Sequence, residues 1–178
     1  MVFSDSRFGI AAGLVYTLLL LAAAVGDIRT RRIPNRLVLL LAVLGLGASV
    51  LVAPVVPGFL RSTGGLLAGF ACWLPFYALG WLGAGDVKLF AAAASWLGPV
   101  HAVEGALIAA ASGAVLALAW MVWTRGAKDV ASTLVIAAAR PTILAQGGNS
   151  VAIHKSLPYG VALAFGAITA AWMPGLLM

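Results

Sequence analysis

The sequence predicts an all-α protein: a polytopic membrane helix bundle with about six transmembrane helices and its amino terminus outside. Hydrophobic residues make up 63% of the 178 residues and charged residues only 9%, whereas a soluble domain carries about 25% charged residues. The mean hydropathy is +1.08. The basic residues also cluster between apolar segments, as they do in loops that fix membrane orientation.

The predicted helices correspond to six apolar segments. A helix needs about 20 apolar residues to cross the hydrocarbon core. The segments are, in chain order, 8–26, 37–53, 64–82, 87–97, 102–123 and 157–177. We expect Pro54 and Pro57 to end the second segment, and Gly98-Pro99 to end the short fourth one.

The charge distribution indicates that the short fourth segment crosses as well. With six crossings and the amino terminus outside, only Arg7 and Arg61 lie outside. The cytoplasmic side then carries nine basic residues: Arg29, Arg31, Arg32, Arg36, Lys88, Arg125, Lys128, Arg140 and Lys155. This distribution satisfies the positive-inside rule. Cleavage of the first segment as a signal peptide after residues 22–24 is disfavoured, because it would place the first arginine cluster outside.

A single transmembrane domain is predicted over residues 1–178, because no linker of biased composition divides the chain. The one long connection, at about 125–156, is predicted on the cytoplasmic side. The net charge of +6 is explained by membrane orientation, so no nucleic-acid partner is predicted. The single cysteine, Cys72, cannot form a disulfide or a paired-cysteine zinc site within the chain and is expected to pack as a small residue.

Asp27 and Asp86 are the candidate catalytic residues. The chain has five acidic residues, and carboxylates at the edge of a bilayer are costly to keep. The predicted topology puts both at the cytoplasmic ends of apolar segments, hence at one depth. Two carboxylates that share a site cannot both ionise easily, so one can activate a water while the other protonates the scissile carbonyl oxygen. Peptide hydrolysis by such a pair needs no metal and no cofactor, and neither is predicted.

The neighbouring residues fit this use. Gly83 and Gly85 remove side chains beside Asp86, so that a substrate backbone can come close. Pro34 disfavours helix at the preceding residue, and Asn35 can cap the next helix.

Simpler interpretations exist for the same residues. Either aspartate alone can be a helix cap or a surface charge, and Gly-x-Gly in a membrane helix commonly serves close packing. The arginines after Asp27 are expected to set topology and contact lipid headgroups. His101 and Glu104 read as a solvated or polar-packed pair. The aromatic belt is predicted to include most of the tryptophans, which are Trp73, Trp81, Trp96, Trp120, Trp123 and Trp172.

Three local motifs resemble the type IV prepilin peptidases, which are membrane aspartic proteases of the GxGD class. Asp27 followed by Ile33-Pro34-Asn35 is similar to the first aspartate motif of that family. Gly83-Ala84-Gly85-Asp86-Val87-Lys88-Leu89 is similar to the second, including the lysine. Leu157-Pro158-Tyr159-Gly160 resembles the motif at the start of the last helix.

The resemblance implies cleavage of a basic leader from pilin-like precursors at the cytoplasmic face of the inner membrane. It implies Asp27 and Asp86 as the catalytic pair, with membrane lipids as further partners. Substrate-binding or site-shaping roles then fall to Gly83, Gly85, Lys88, Pro34, Asn35, Pro158 and Tyr159. The chain lacks the paired-cysteine cytoplasmic domain of many members, so it resembles the short peptidase-only form associated with tight-adherence (Flp) pili. Methyl transfer is not expected.

Two other functions remain open at this stage. The presenilin and signal-peptide-peptidase branch of the GxGD class is disfavoured by the Ile-Pro-Asn segment and by the lack of a Pro-Ala-Leu motif near the last helix. A small ion- or proton-coupled transporter or channel would use the same acids as ion sites. Such a protein would be expected to carry them near the bilayer midplane.

Overall fold

The computed structural model describes residues 7–125 and 159–176, and the regular structure of these ranges is entirely helical. The helices are α1 (Arg7–Thr30), α2 (Asn35–Val52), α3 (Val55–Ala78), α4 (Ala84–Leu97), α5 (Pro99–Arg125) and α6 (Tyr159–Trp172). The predicted all-α membrane bundle is therefore confirmed. Pro158 and nearly all of the connection predicted at 125–156 lie outside the described residues.

Three of the helices are long and apolar enough to cross a membrane, over Phe8–Thr30, Val55–Ala78 and Pro99–Trp120. Asn35–Leu51 and Tyr159–Trp172 are shorter apolar helices. Each predicted segment thus corresponds to one helix of the bundle. The outside location of the amino terminus stays a prediction.

Prolines and glycines set several helix boundaries; the predicted end of the fourth segment at Gly98-Pro99 agrees with the structure, whereas the predicted start of α3 does not. Pro54 is the N-cap of α3, which begins nine residues earlier than expected. Pro57 lies in its first turn, where the missing N–H costs nothing. Gly98, with φ of 81°, ends α4 in a backbone conformation that favours glycine. Pro99 then starts α5, in agreement with the preference of proline for the first helical position.

The connection between α1 and α2 corrects one expectation. Pro34 itself is the N-cap of α2, with φ −64° and ψ 124°, and no side-chain cap bond is made. Asn35 is the first helical residue, so the prediction that it caps this helix is wrong. The extended conformation at Pro34 takes the position that a capping side chain would need.

The first helix continues past its predicted end at Gly26. It stops at Thr30 because Arg31 adopts a left-handed conformation with φ 52°. The amide of Arg31 donates to the carbonyl oxygen of Asp27 at 2.8 Å. Asp27 therefore lies inside the last turn of α1, and its side-chain direction is fixed by the helix.

The centre of the bundle is α4. Its residues Val87 and Leu89–Leu97 are all buried, and α2, α3, α5 and α6 pack around it. Small residues allow the close approach: a Cβ on Gly69 would lie 2.5 Å from the Cβ of Ala94. Such small-residue contacts are how membrane helices pack closely. The consequence for the site is that Asp86, in the first turn of α4, lies on the central helix.

Two tryptophans assigned to the aromatic belt are core residues instead, so that prediction is wrong for them. Trp73 and Trp96 are only 3% and 6% exposed. The indole N–H of Trp96 donates to the carbonyl oxygen of Leu41 at 2.8 Å, which ties α4 to α2.

Glu104 is also buried, and its carboxylate accepts the amide N–H of Gly175 at 3.1 Å.

Candidate active site

Asp27 is held at the start of α6. Its carboxylate Oδ2 accepts the backbone N–H of Gly160 at 2.8 Å, between residues 133 positions apart in sequence. The side chain is 8% exposed. A helix amino terminus favours negative charge through its free amides and its dipole. The start of α6 thus binds and orients the carboxylate of Asp27.

Asp86 is the third residue of α4 and interacts with the start of its own helix. Its Oδ2 accepts the backbone N–H of Gly83 at 3.3 Å, while the amide of Asp86 donates to the carbonyl oxygen of Gly83 at 3.1 Å. The capping interpretation of this aspartate is therefore correct as local structure. This hydrogen bond uses Oδ2 of Asp86, so the other carboxylate oxygen, Oδ1, can still take part in a reaction.

The two carboxylates act on each other electrostatically. Asp86 precedes the apolar segment of α4, and its pKa is raised to about 6. Burial is the largest cause, the negative charge of Asp27 also raises the pKa, and the hydrogen bond from Gly83 lowers it. Asp86 therefore holds a proton under mildly acidic conditions, beside a second carboxyl group that accepts an amide N–H.

Tyr159 forms one wall of this site. Its ring packs edge-on against Trp73, with 6.0 Å between the ring centroids, and Trp73 packs in the same way against Phe90 at 5.7 Å. Tyr159 is also close enough to Asp86 for the two side chains to interact electrostatically. Packing against Trp73 therefore holds the Tyr159 ring in position next to Gly160, whose amide binds Asp27.

The two glycines of the second motif have different surroundings. A Cβ on Gly83 would lie 3.1 Å from Oδ2 of Asp86, whereas a Cβ on Gly85 would meet only Ile33, at 3.7 Å. Gly83 thus allows the carboxylate to fold back on the start of α4. Ile33, in the connection after α1, lies near the start of α4, but a Cβ at residue 85 would make only an ordinary contact with it.

The structure does not bring Asn35 and Lys88 to the carboxylates. Both line a groove between α2, α3 and α4. Residues two positions apart in a helix point about 200° apart, so Lys88 leaves α4 on the side opposite to Asp86. Pro34 is the N-cap of α2, and Pro158 lies outside the described residues.

Two glycines of the site were absent from the predicted site residues. Gly160 supplies the amide that binds Asp27. Gly113 of α5 makes room for Tyr159, because a Cβ there would lie 2.5 Å from the tyrosine hydroxyl. The motif around Tyr159 contains the signal for Gly160. No sequence signal distinguishes Gly113 from the many glycines that serve only helix packing.

A comparison with models of protein families identifies the family of this chain. The model of the type IV leader peptidase family matches residues 14–118, a range that includes both aspartates and five of the six helices in part or in full. The chain belongs to the type IV leader peptidase family. Neither the curated proteins nor the solved structures gave a significant match.

The family membership makes this protein a membrane peptidase and confirms the resemblance seen in the aspartate motifs. The matched range ends before α6, so the third motif is supported by geometry alone. Among residues 7–125 and 159–176, no group of three or more histidine, cysteine and acidic side chains is arranged to hold a metal ion.

Proposed function

We propose that this leader peptidase is an aspartic endopeptidase that uses Asp27 and Asp86 to remove the basic leader from pilin-like precursors. The observation that carries the proposal is the coupled pair itself. The charge of Asp27 raises the pKa of Asp86, and each carboxylate accepts an amide N–H at the start of a helix. No other pair of described acidic residues has this relationship.

The different surroundings suggest a division of roles. Asp27, which is bound by the Gly160 amide, is the general base that takes a proton from the attacking water. Asp86, whose pKa is raised to about 6, is the general acid that donates to the scissile carbonyl oxygen. A carboxyl group that keeps its proton beside a second carboxylate is characteristic of acid–base pairs. The proton that Asp27 took from the water then passes to the nitrogen of the leaving amine as the C–N bond breaks, and Asp86 takes its proton back from a hydroxyl of the tetrahedral intermediate.

The substrate is proposed from the family. Type IV leader peptidases act on prepilin-type precursors, and the predicted topology puts both aspartates at the cytoplasmic face of the inner membrane. The cut would release a basic leader at that face. We expect the peptidase-only activity of a tight-adherence pilus system, without methyl transfer.

The decisive experiment replaces each carboxylate by its uncharged isostere. Membranes containing Asp27→Asn or Asp86→Asn are incubated with a leader-bearing precursor, and the products are identified by mass spectrometry. We expect each variant to accumulate normally and to lose cleavage. Glu104→Gln is the matched control, because it removes the charge of another buried carboxylate; it should retain cleavage. Substantial cleavage by either aspartate variant would refute the proposal, and ion movement by protein that leaves the precursor intact would favour a transporter.

A further inference from the structure

The groove between α2, α3 and α4 has the properties of a ligand site separate from the two carboxylates. We propose that it binds one anionic phospholipid, with the headgroup phosphate at Lys88 and Asn35 and one acyl chain along the groove. This inference does not depend on the proposed peptidase mechanism.

The groove is apolar along its length and polar at one end. It has a volume of about 450 Å³. Its apolar walls are formed by Val38, Ala42, Leu66, Phe70, Ala91 and Ala92, and its polar groups are Asn35 and Lys88. Asn35 is the first residue of α2, and Lys88 lies in the second turn of α4. The polar groups therefore lie near the end of the bundle that carries the aspartates, and the apolar part extends away from it.

The length and polarity of the groove fit a lipid. Its wall on α2 runs from Asn35 to Ala42, about 10 Å at 1.5 Å per residue. Its polar groups lie at one end and the rest of its wall is apolar. A phospholipid has the same division, with a charged headgroup at one end and an apolar chain.

The charge at the groove mouth selects an anion. Lys88 is exposed, so its ammonium can be reached by an anionic group from outside the chain. A lysine one turn inside a membrane helix can extend its apolar stem along the groove and keep its charge at the interface. Arg36, exposed and next to Asn35, adds positive charge at the same level. Basic pockets between membrane helices are known to bind anionic lipid headgroups.

The test measures lipid retained by the purified full chain, using native mass spectrometry after reconstitution in defined bilayers. The probes are dioleoyl phosphatidylglycerol, dioleoyl phosphatidylethanolamine and, as a headgroup without chains, glycerol phosphate. We expect one retained phosphatidylglycerol per protein, with weaker retention of phosphatidylethanolamine and none of glycerol phosphate. Equal retention of the two phospholipids would overturn the proposal, as would retention of glycerol phosphate alone.

Two variants assign the retained lipid to the groove. Lys88→Gln should reduce phosphatidylglycerol retention about fivefold, equivalent to about 1 kcal/mol for one basic group near an anionic headgroup. Ala42→Phe should also reduce it by filling the groove. The matched controls are Arg29→Gln, an exposed cation at the same end but outside the groove, and Leu18→Phe on an exposed face of α1. Both controls should retain the lipid.

The outcomes separate this proposal from the peptidase mechanism. Asp86→Asn should lose cleavage and keep the lipid, since the carboxylate points away from the groove. Wild-type retention by both groove variants would overturn the lipid site. The proposed lipid site would also be overturned if Arg29→Gln lowered phosphatidylglycerol retention as much as Lys88→Gln. Equal losses would indicate that the lipid is attracted to the positive surface in general and not to the groove. Loss of precursor binding in Ala42→Phe with unchanged lipid retention would assign the groove to the substrate instead.

Discussion

The backbone amide of Gly160 donates a hydrogen bond of 2.8 Å to the carboxylate of Asp27. This bond joins the start of α6 to the last turn of α1. It orients the carboxylate, because a hydrogen bond of this length requires the amide and the carboxylate oxygen to stay aligned. The contact also leaves no space for a side chain at residue 160.

Gly160→Ala should therefore disturb the catalytic carboxylate. The added Cβ would lie 2.8 Å from Oδ2 of Asp27, so the carboxylate or the start of α6 must move. We expect kcat/KM for a leader-bearing precursor to fall at least about tenfold, equivalent to about 1.4 kcal/mol of transition-state stabilisation. The control is Gly26→Ala, next to Asp27, whose Cβ would meet nothing within 4 Å. Similar losses in both variants would contradict the steric explanation.

Asp27→Asn should lower the pKa of Asp86. The charge of Asp27 raises that pKa, and burial raises it more. Removing the charge should bring the pKa below about 6 but leave it above the ordinary value of 3.8. The measurement is a pH titration of ¹³C-labelled aspartate carboxyl groups by NMR in detergent micelles, with Asp86→Asn used to assign the signal. An unchanged or higher pKa would mean that the two carboxylates are not coupled.

The pH dependence of cleavage should show the loss of the Asp86 proton. The proposed active form carries this proton, and its pKa is raised to about 6. As pH rises through that value the general acid is lost, so kcat/KM should fall up to about tenfold per pH unit. Lysines of the leader do not titrate in this range. The measurement is initial cleavage rates at limiting substrate from pH 5 to 8, and a rate that rises steadily across this interval would contradict the assigned roles.

Gly65→Ala should destabilise the bundle. A Cβ on Gly65 would overlap the carbonyl oxygen of Ala94 and lie 2.9 Å from the Cα of Gly98, so α3 would have to move away from α4. Overpacking of this kind typically costs about 1–3 kcal/mol. Thermal unfolding in detergent, followed by circular dichroism, should show a lower midpoint. The adjacent Gly64→Ala is the control, because its Cβ would make only an ordinary contact with Pro99 at 3.7 Å, and equal shifts would argue against close packing as the cause.

Local sequence patterns predicted the helices better than their ends. Apolar composition located all six segments, but only three of the described helices are long and apolar enough to cross a membrane. The crossing of the short fourth segment was predicted from the charge distribution and not from its length. The end of α1 at Thr30 was missed because it depends on the left-handed conformation of Arg31, which no composition rule requires. The start of α3 at Val55 was missed because Pro54 was expected only to end a helix, whereas it also begins one. The tryptophans show a similar limit: burial of Trp73 and Trp96 depends on partners on other helices.

The sequence by itself determined the membrane bundle, the family motifs and the two candidate carboxylates, since hydropathy, charge bias and motif spacing are properties of the chain. Only the tertiary structure decided that Asp27 is bound by the amide of Gly160 and that Lys88 faces a groove on the other side of α4. The physical reason is that helix rotation and packing set side-chain direction, and these depend on contacts between residues far apart in the sequence.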